Sequence, residues 1–223
     1  MGDDMLSMID TFEMLKKYKL NLAPYSIVDN LEDALSQAKK LGYPVVMKAI
    51  SSKVSHKTEY GVVRTNLMDD EDVEEAWRII LKKLKKHKIK FEQILIQKQM
   101  KGYELIIGGK KDEQFGQMII FGLGGIYVEV FKDISARICS ITEEDARHMI
   151  KEIKAHPILA GYRGTKPADE KSLINALIQT NKLLINEDPE ELDLNPLFVD
   201  DTGYYIVDAR VVLSKGDNSV RKF

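Results

Sequence analysis

Six consecutive residues, Val45, Val46, Met47, Lys48, Ala49 and Ile50, constrain the fold of this chain more than any others. They follow Gly42 and Pro44 and precede the polar stretch 51–60. A short apolar run bounded in this way predicts a strand in the middle of a sheet, covered on both faces. Lys48 stands inside that run. A charge there has to find a partner or face a cavity. It fits two readings: a lysine whose head reaches water from the strand end, or a cation held in a cleft to meet a phosphate.

The other elements follow from period and punctuation. Ile9, Phe12 and Leu15 at helical spacing predict a helix over 7–19, and a short strand Tyr25–Val28 follows Pro24. Asn30 caps a helix that runs through Lys40 and ends at Gly42. Residues 61–67 return to strand character. Val73, Trp77, Ile80, Leu81 and Leu84 share one face of a helix over 69–87. Strands are expected at 93–99, 104–108 and 117–121, and a strand pair within 127–141. Thr142 caps a helix over 143–154. A loop over 157–167, containing Arg163, leads to a long helix over 168–185. Two strands, 192–199 and 204–212, close the chain around an Asp200-Asp201-Thr202-Gly203 turn. Helices with a few strands, then a strand-rich second half, give an α+β class with much antiparallel sheet. The strand 93–99 is the natural hinge between the halves.

Composition narrows the function classes. The chain has 223 residues, room for one large domain or two small intimate ones. Its formal charge of −2 argues against nucleic-acid binding, which calls for a basic stripe. Cys139 is the single cysteine, so no intrachain disulfide can form, and it reads as a small buried residue. No apolar run approaches the roughly 20 residues of a membrane span. Asp3 and Asp4 interrupt any basic-then-apolar signal pattern. A soluble cytoplasmic protein is expected.

Several places could carry chemistry. The stretch from Ser51 to Gly61 gathers hydroxyls, Lys53, Lys57 and His56 next to a glycine, which suits a phosphate as well as it suits a solvated loop. Gly122-Leu123-Gly124-Gly125 follows a strand and lets backbone approach a ligand closely; a plain tight turn is the other reading. It is neither a Walker-type loop, since no Lys-Ser/Thr follows, nor a dinucleotide fingerprint, since strand rather than helix follows. Near the C-terminus, alternation puts Glu191, Asp193 and Asn195 on one strand face. If the last two strands form a hairpin, Asn195 faces Asp208 across it, and the two hard oxygen donors suit Mg²⁺. Arg137 sits among small and apolar residues, where it fits either a clamp on a phosphoryl group or a structural ion pair. His87, His148 and His156 lie in helical or helix-end contexts and read as surface residues.

Taken together, five segments make the chain recognisable: Gly42 to Lys48, His56-Lys57-Thr58-Glu59, Gln114-Phe115-Gly116, Phe121 to Glu129 and Leu192 to Leu197. Over about residues 12–213 the sequence resembles the β subunits of ADP-forming acetate–CoA ligases and, more distantly, the β subunit of succinyl-CoA synthetase. The resemblance implies the ATP-grasp fold, two α+β lobes closing on a nucleotide, with lobes expected at 1–98 and 99–223. It implies Lys48 on the nucleotide phosphates, the backbone of Gln97, Lys98, Gln99 and Met100 on the base, and Glu104 close to the nucleotide. Asn195 and Asp208 match the family's Mg²⁺ ligands, and Asp193 matches an acidic position that faces a phosphohistidine. His56 matches a loop histidine that relays the phosphoryl group, and Arg137 with Lys48 would neutralise its charge. The implied partners are ADP/ATP and an α subunit carrying the CoA and phosphohistidine sites, as an α2β2 heterotetramer, since no segment here resembles a CoA-binding domain. One departure stands out: where the family has two glycines after the His-Lys segment, the second is Val62.

Overall fold

The computed structural model describes residues 5–50, 61–125 and 133–214. Residues 51–60, including the candidate His56, lie outside the described residues, as do 126–132. Contacts divide the chain into two compact units, Ala23–Met100 and a second unit made of Met1–Leu22 with Lys101–Phe223.

In the first unit, β1 (Tyr25–Val28), β2 (Val45–Ile50), β3 (Val63–Leu67) and β4 (Gln93–Lys98) form an antiparallel sheet in the order β1-β4-β2-β3. The apolar run is the inner strand β2, buried along its whole length. Helices α2 (Leu31–Leu41) and α3 (Asp70–Lys86) cover one face. Asn30 accepts from the Asp33 N–H and Asp69 from the Asp72 N–H, so each helix starts on a side-chain cap. Gly42, at φ 76°, ends α2 in a conformation that favours glycine. Val45, Met47, Ala49, Ile94 and Ile96 point to these helices and pack with Val73, Trp77 and Ile80. Val62, the residue that departs from the family pattern, belongs to this core and is fully buried.

The second unit holds a six-stranded antiparallel sheet. Its strands are β5 (Tyr103–Asp112), β6 (Gly116–Leu123), β7 (Ile134–Ile138), β8 (Glu191–Val199), β9 (Tyr204–Ile206) and β10 (Ala209–Val212). The order is β10-β8-β5-β6-β7, with β9 also paired to β8. Helices α4 (Glu143–Glu152), a single turn α5 (His156–Leu159) and α6 (Glu170–Glu187) belong to the same unit. Thr142 and Asp145 exchange bonds as a capping box at the start of α4. Leu105, Ile107, Ile119, Phe121, Leu192 and Leu194 meet Leu177, Leu183 and Leu184 of α6 in one core. Gly109 permits the close approach of α6, because a Cβ there would sit 2.2 Å from a Leu184 methyl.

Helix α1 (Met8–Lys17) belongs to this second unit although it opens the chain. The Leu6 N–H donates to Val211 O, the Ile206 N–H donates to Asn21 O, and Met14 and Leu15 enter the β5–β8 core. The contact grouping therefore differs from the linear expectation of 1–98 and 99–223. The reason is long-range pairing, which periodicity within a segment does not encode.

Elsewhere, expectation and structure differ in detail. The last predicted strand, 204–212, is two strands separated by Val207 and Asp208. Residues 156–159, which include the start of the expected loop 157–167, form one helical turn, and α6 begins at Glu170 rather than 168. Among the described residues no helix is long and apolar enough to cross a membrane. Cys139 is half-buried, and burial pushes its thiol up to about 11, so it is not a thiolate at neutral pH.

Candidate functional site

Each sheet has a face turned away from its helices, and the polar candidates collect there. In the first unit, Val46 pairs with Gln97 and Lys48 with Leu95. Their strand neighbours Met47 and Ile96 lie in the helix-side core, so Lys48 and Gln97 share the other face. Lys48 is buried in the middle of that face. Gln97 is fully buried, and among the described residues neither its Oε1 nor its Nε2 has a hydrogen-bond partner. A buried amide without partners is rare enough to require an explanation.

The following residues are more committed. Lys98 Nζ donates to the carbonyls of Gly42 (2.6 Å) and Tyr43 (3.0 Å), which ties its head to the end of α2. The Gln99 amide exchanges bonds with Asn66, accepting from its N–H at 2.6 Å and donating to its Oδ1. The backbone N–H groups of Lys98 and Gln99 donate to Pro24 O and Pro44 O. These two N–H groups are therefore engaged, and the groups left to a base in this stretch lie at Gln97 and Met100 or on carbonyls.

In the second unit the open face is built around an irregularity in β8. Along β8, Leu192 and Leu194 face the core, and beyond the irregularity Leu197 and Val199 do so. The parity changes because one extra residue is accommodated at Asn195-Pro196, where the register with β5 shifts between Leu105 and Ile107. Pro196 has no N–H to give to a ladder. Its carbonyl accepts from the Val207 N–H, and the Asn195 N–H donates to Asp208 O at 3.2 Å. The step in β8 thus faces the step between β9 and β10, and Asn195 stands opposite Asp208. The Asp208 Oδ1 accepts from the Ala209 N–H at 3.0 Å.

Glu191 and Asp193 lie on the same face, upstream of Asn195. Burial pushes the Asp193 carboxyl up to about 6; the Glu191 charge adds to the rise, and Arg210 opposes it. Arg210 is the register partner of Asp193, and its Nη2 lies 2.9 Å from Glu191 Oε1. Glu104 of β5 reaches this face beside the glycine turn. The Gly124 N–H donates to Glu104 O at 2.8 Å, and a Cβ on Gly124 would lie 2.9 Å from Glu104 Cγ. The turn is glycine because Glu104 fills the space a side chain would need.

Arg137 is not part of this face. It alternates with Ile134, Ala136 and Ile138, which are exposed, and it lies on the side that carries α4. There it forms an ion pair with Glu152 and donates to Ala136 O at 2.8 Å. Of its two sequence readings, the structure displays the ion pair.

Asn195 and Asp208 offer hard oxygens, and Asp208 keeps Oδ2 beyond its bond to Ala209. That set fits Mg²⁺, which takes one or two protein oxygens and completes its shell with water and phosphate. Among the described residues no group of three His, Cys, Asp or Glu side chains could hold a metal alone. Arg210 escaped the sequence reading. Its signal was the alternation of β10, where Val211 is buried and position 210 must face outward.

A family model described as an ATP-grasp domain matches residues 1–213. The β subunit of acetate–CoA ligase [ADP-forming] II from Pyrococcus furiosus is 42% identical over 208 residues, covering 90% of this chain and 88% of that one. Acetate–CoA ligase [ADP-forming] I from Archaeoglobus fulgidus is 44% identical over 207 residues, or 91% of this chain, but this chain spans only 30% of that longer relative. Among solved structures, the dinucleotide-forming acetyl-coenzyme A synthetase 1 of Ca. Korarchaeum cryptofilum superposes with a TM-score of 0.82 at 35% identity, covering 95% of this chain and 93% of that one. That crystal holds coenzyme A and Mg-AMPPCP, with its phosphohistidine segment pointing towards the nucleotide binding site.

Proposed function

The chain belongs to the ATP-grasp family, among the β subunits of ADP-forming acetate–CoA ligases, and from that premise we propose that it carries the phosphoryl-transfer half of an acid–thiol ligation. The overall reaction is acyl-CoA, ADP and phosphate giving carboxylate, ATP and CoA, reversibly. This chain performs its last leg. The N–P bond of a phosphohistidine breaks, a terminal oxygen of ADP bonds to the phosphorus, and the imidazole leaves with the N–P electron pair. Histidine suits the relay because its ring nitrogen is nucleophilic near neutral pH.

One observation carries the reading: Asp193, Asn195 and Asp208 stand together on the open strand face, with Glu104 held beside them by a glycine turn. In this reading Asn195 and Asp208 hold Mg²⁺, which when bound offsets charge on the nucleotide phosphates. Asp193 accepts from the imidazole of the incoming phosphohistidine. Lys48 meets the phosphates, and Gln97 with the Met100 backbone meets the base. His56 is the relay histidine of this chain. The α subunit supplies the CoA site and its own phosphohistidine, in an α2β2 assembly working in the cytoplasm.

The test is to mix this chain with its α partner, acyl-CoA and labelled phosphate. Acid-labile label on His56 that ADP chases into ATP is the expected result. A His56→Asn variant with full turnover would instead favour an ATP-grasp ligase that works by a direct acyl phosphate.

A further inference from the structure

The open face of the second unit carries Glu104, Glu191, Asp193 and Asp208 against two cations, Arg210 and, in register with Glu191, Lys110. Glu191 and Asp193 lie on β8, and Asp208 lies opposite Asn195. A nucleotide diphosphate or a phosphohistidine brought to this face meets like charge, and bare carboxylates repel it. A metal at Asn195 and Asp208 neutralises part of that field. A fixed cation on this face, close to the metal pair, would serve the equatorial oxygens of a transferring phosphoryl group.

Arg137 does not provide it, because its guanidinium is bound to Glu152 on the helix side of the sheet. Lys110 lies opposite Glu191, further from Asn195, and Arg210 has the nearer position. It stands opposite Asp193 in the β8–β10 register and two residues beyond Asp208. Val211 and Ala209 face the core, so the Arg210 side chain lies on the open face. Among the described residues its one hydrogen bond is from Nη2 to Glu191 Oε1, and its side chain is 42% exposed. A guanidinium has five donors in a planar fork, so most of this fork is uncommitted. A single solvent-exposed bond of this kind is weak and exchanges readily for a phosphate.

We propose that Arg210 is the arginine that contacts the transferring phosphoryl group, resting on Glu191 when no phosphate is present. The proposal depends on the phosphohistidine-to-ADP reading given above. Glu191 is then a parking site for the guanidinium and makes no contact with the reactants.

The experiment uses the complete complex with the α partner. Wild type, Arg210→Ala, Arg210→Lys and Glu191→Gln are loaded with labelled phosphate, and the single-turnover chase of label into ATP by ADP is followed. Arg210→Ala is expected to slow the chase about 100-fold or more, in line with loss of a donor aimed at developing charge. KM for ADP and the thermal midpoint should move little, and Arg210→Lys should recover part of the rate. Glu191→Gln should leave the rate within about threefold. If Arg210→Ala chases at the wild-type rate while wild type is labelled and active, the assignment of Arg210 is wrong and the parent reading stands. The assignment is equally overturned if Glu191→Gln reproduces the loss, because Arg210 then acts through the ion pair alone. Absence of any chase in wild type removes both.

Discussion

Gln97 carries an amide into a fully buried position where neither polar atom is paired among the described residues. An unsatisfied buried polar group of this kind costs about 1–3 kcal/mol. Such a cost persists where something else uses the group. Gln97→Leu keeps similar bulk and removes the penalty, so the free chain should gain about 1 kcal/mol in a denaturant melt. The same variant should bind Mg-ADP more weakly by calorimetry; unchanged affinity would remove Gln97 from the nucleotide site. The sequence pointed to residues 97–100 only through the resemblance, and it could not separate them. Alternation decides among them in the fold: Gln97 shares the Lys48 face, while Lys98 is spent on the Gly42 and Tyr43 carbonyls. Arg137 shows the same limit in reverse. Its residue type suited a clamp, but its parity in β7 put it on the helix side, and the length of β7 was not readable beforehand.

At the scale of elements, short-range signals were read well because their physics is local. Asn30, Asp69 and Thr142 each cap a helix where the sequence placed one. The capping box at Thr142 has a testable consequence. The Thr142 N–H and hydroxyl hold the Asp145 carboxyl below the usual carboxylate range. A depressed carboxylate stabilises the fold above its unfolded pKa of about 3.9, and that contribution disappears as pH falls through the lower folded value. Thermal melts from pH 7 down to pH 3 should therefore show wild type losing more stability than Asp145→Asn, with the difference opening below about pH 4. Equal losses would mean the box contributes nothing. The step at Asn195-Pro196 was half visible. Pro196 announced a bend, but the facing break at Val207-Asp208 carries no proline or glycine and arises from pairing with β8. The single turn over His156–Leu159 was missed because four residues are too few to show a helical period.

For the whole molecule, the two cores are separate sets of residues, one behind β1–β4 and one behind β5–β10. Leu15 belongs to the second and is fully buried. Leu15→Ala should destabilise that unit by about 2–5 kcal/mol. Amide exchange should report the loss in β5, β6 and β8 while residues 45–50 and 93–98 keep their protection. Uniform loss would show that the two cores unfold together. The α+β class and most strands were legible in the sequence, since they rest on composition and period. The membership of α1 was not, since it rests on contacts about 190 residues apart.

Those contacts also order events during synthesis. Residues 23–100 hold all four strands of their sheet once β4 has left the ribosome. Helix α1, which precedes them in the chain, meets its partners only when α6 and then β10 have followed. At about 5–20 residues per second, the interval is roughly 10–40 s. Over that interval Phe12, Met14 and Leu15, all buried in the finished fold, lack the elements that bury them.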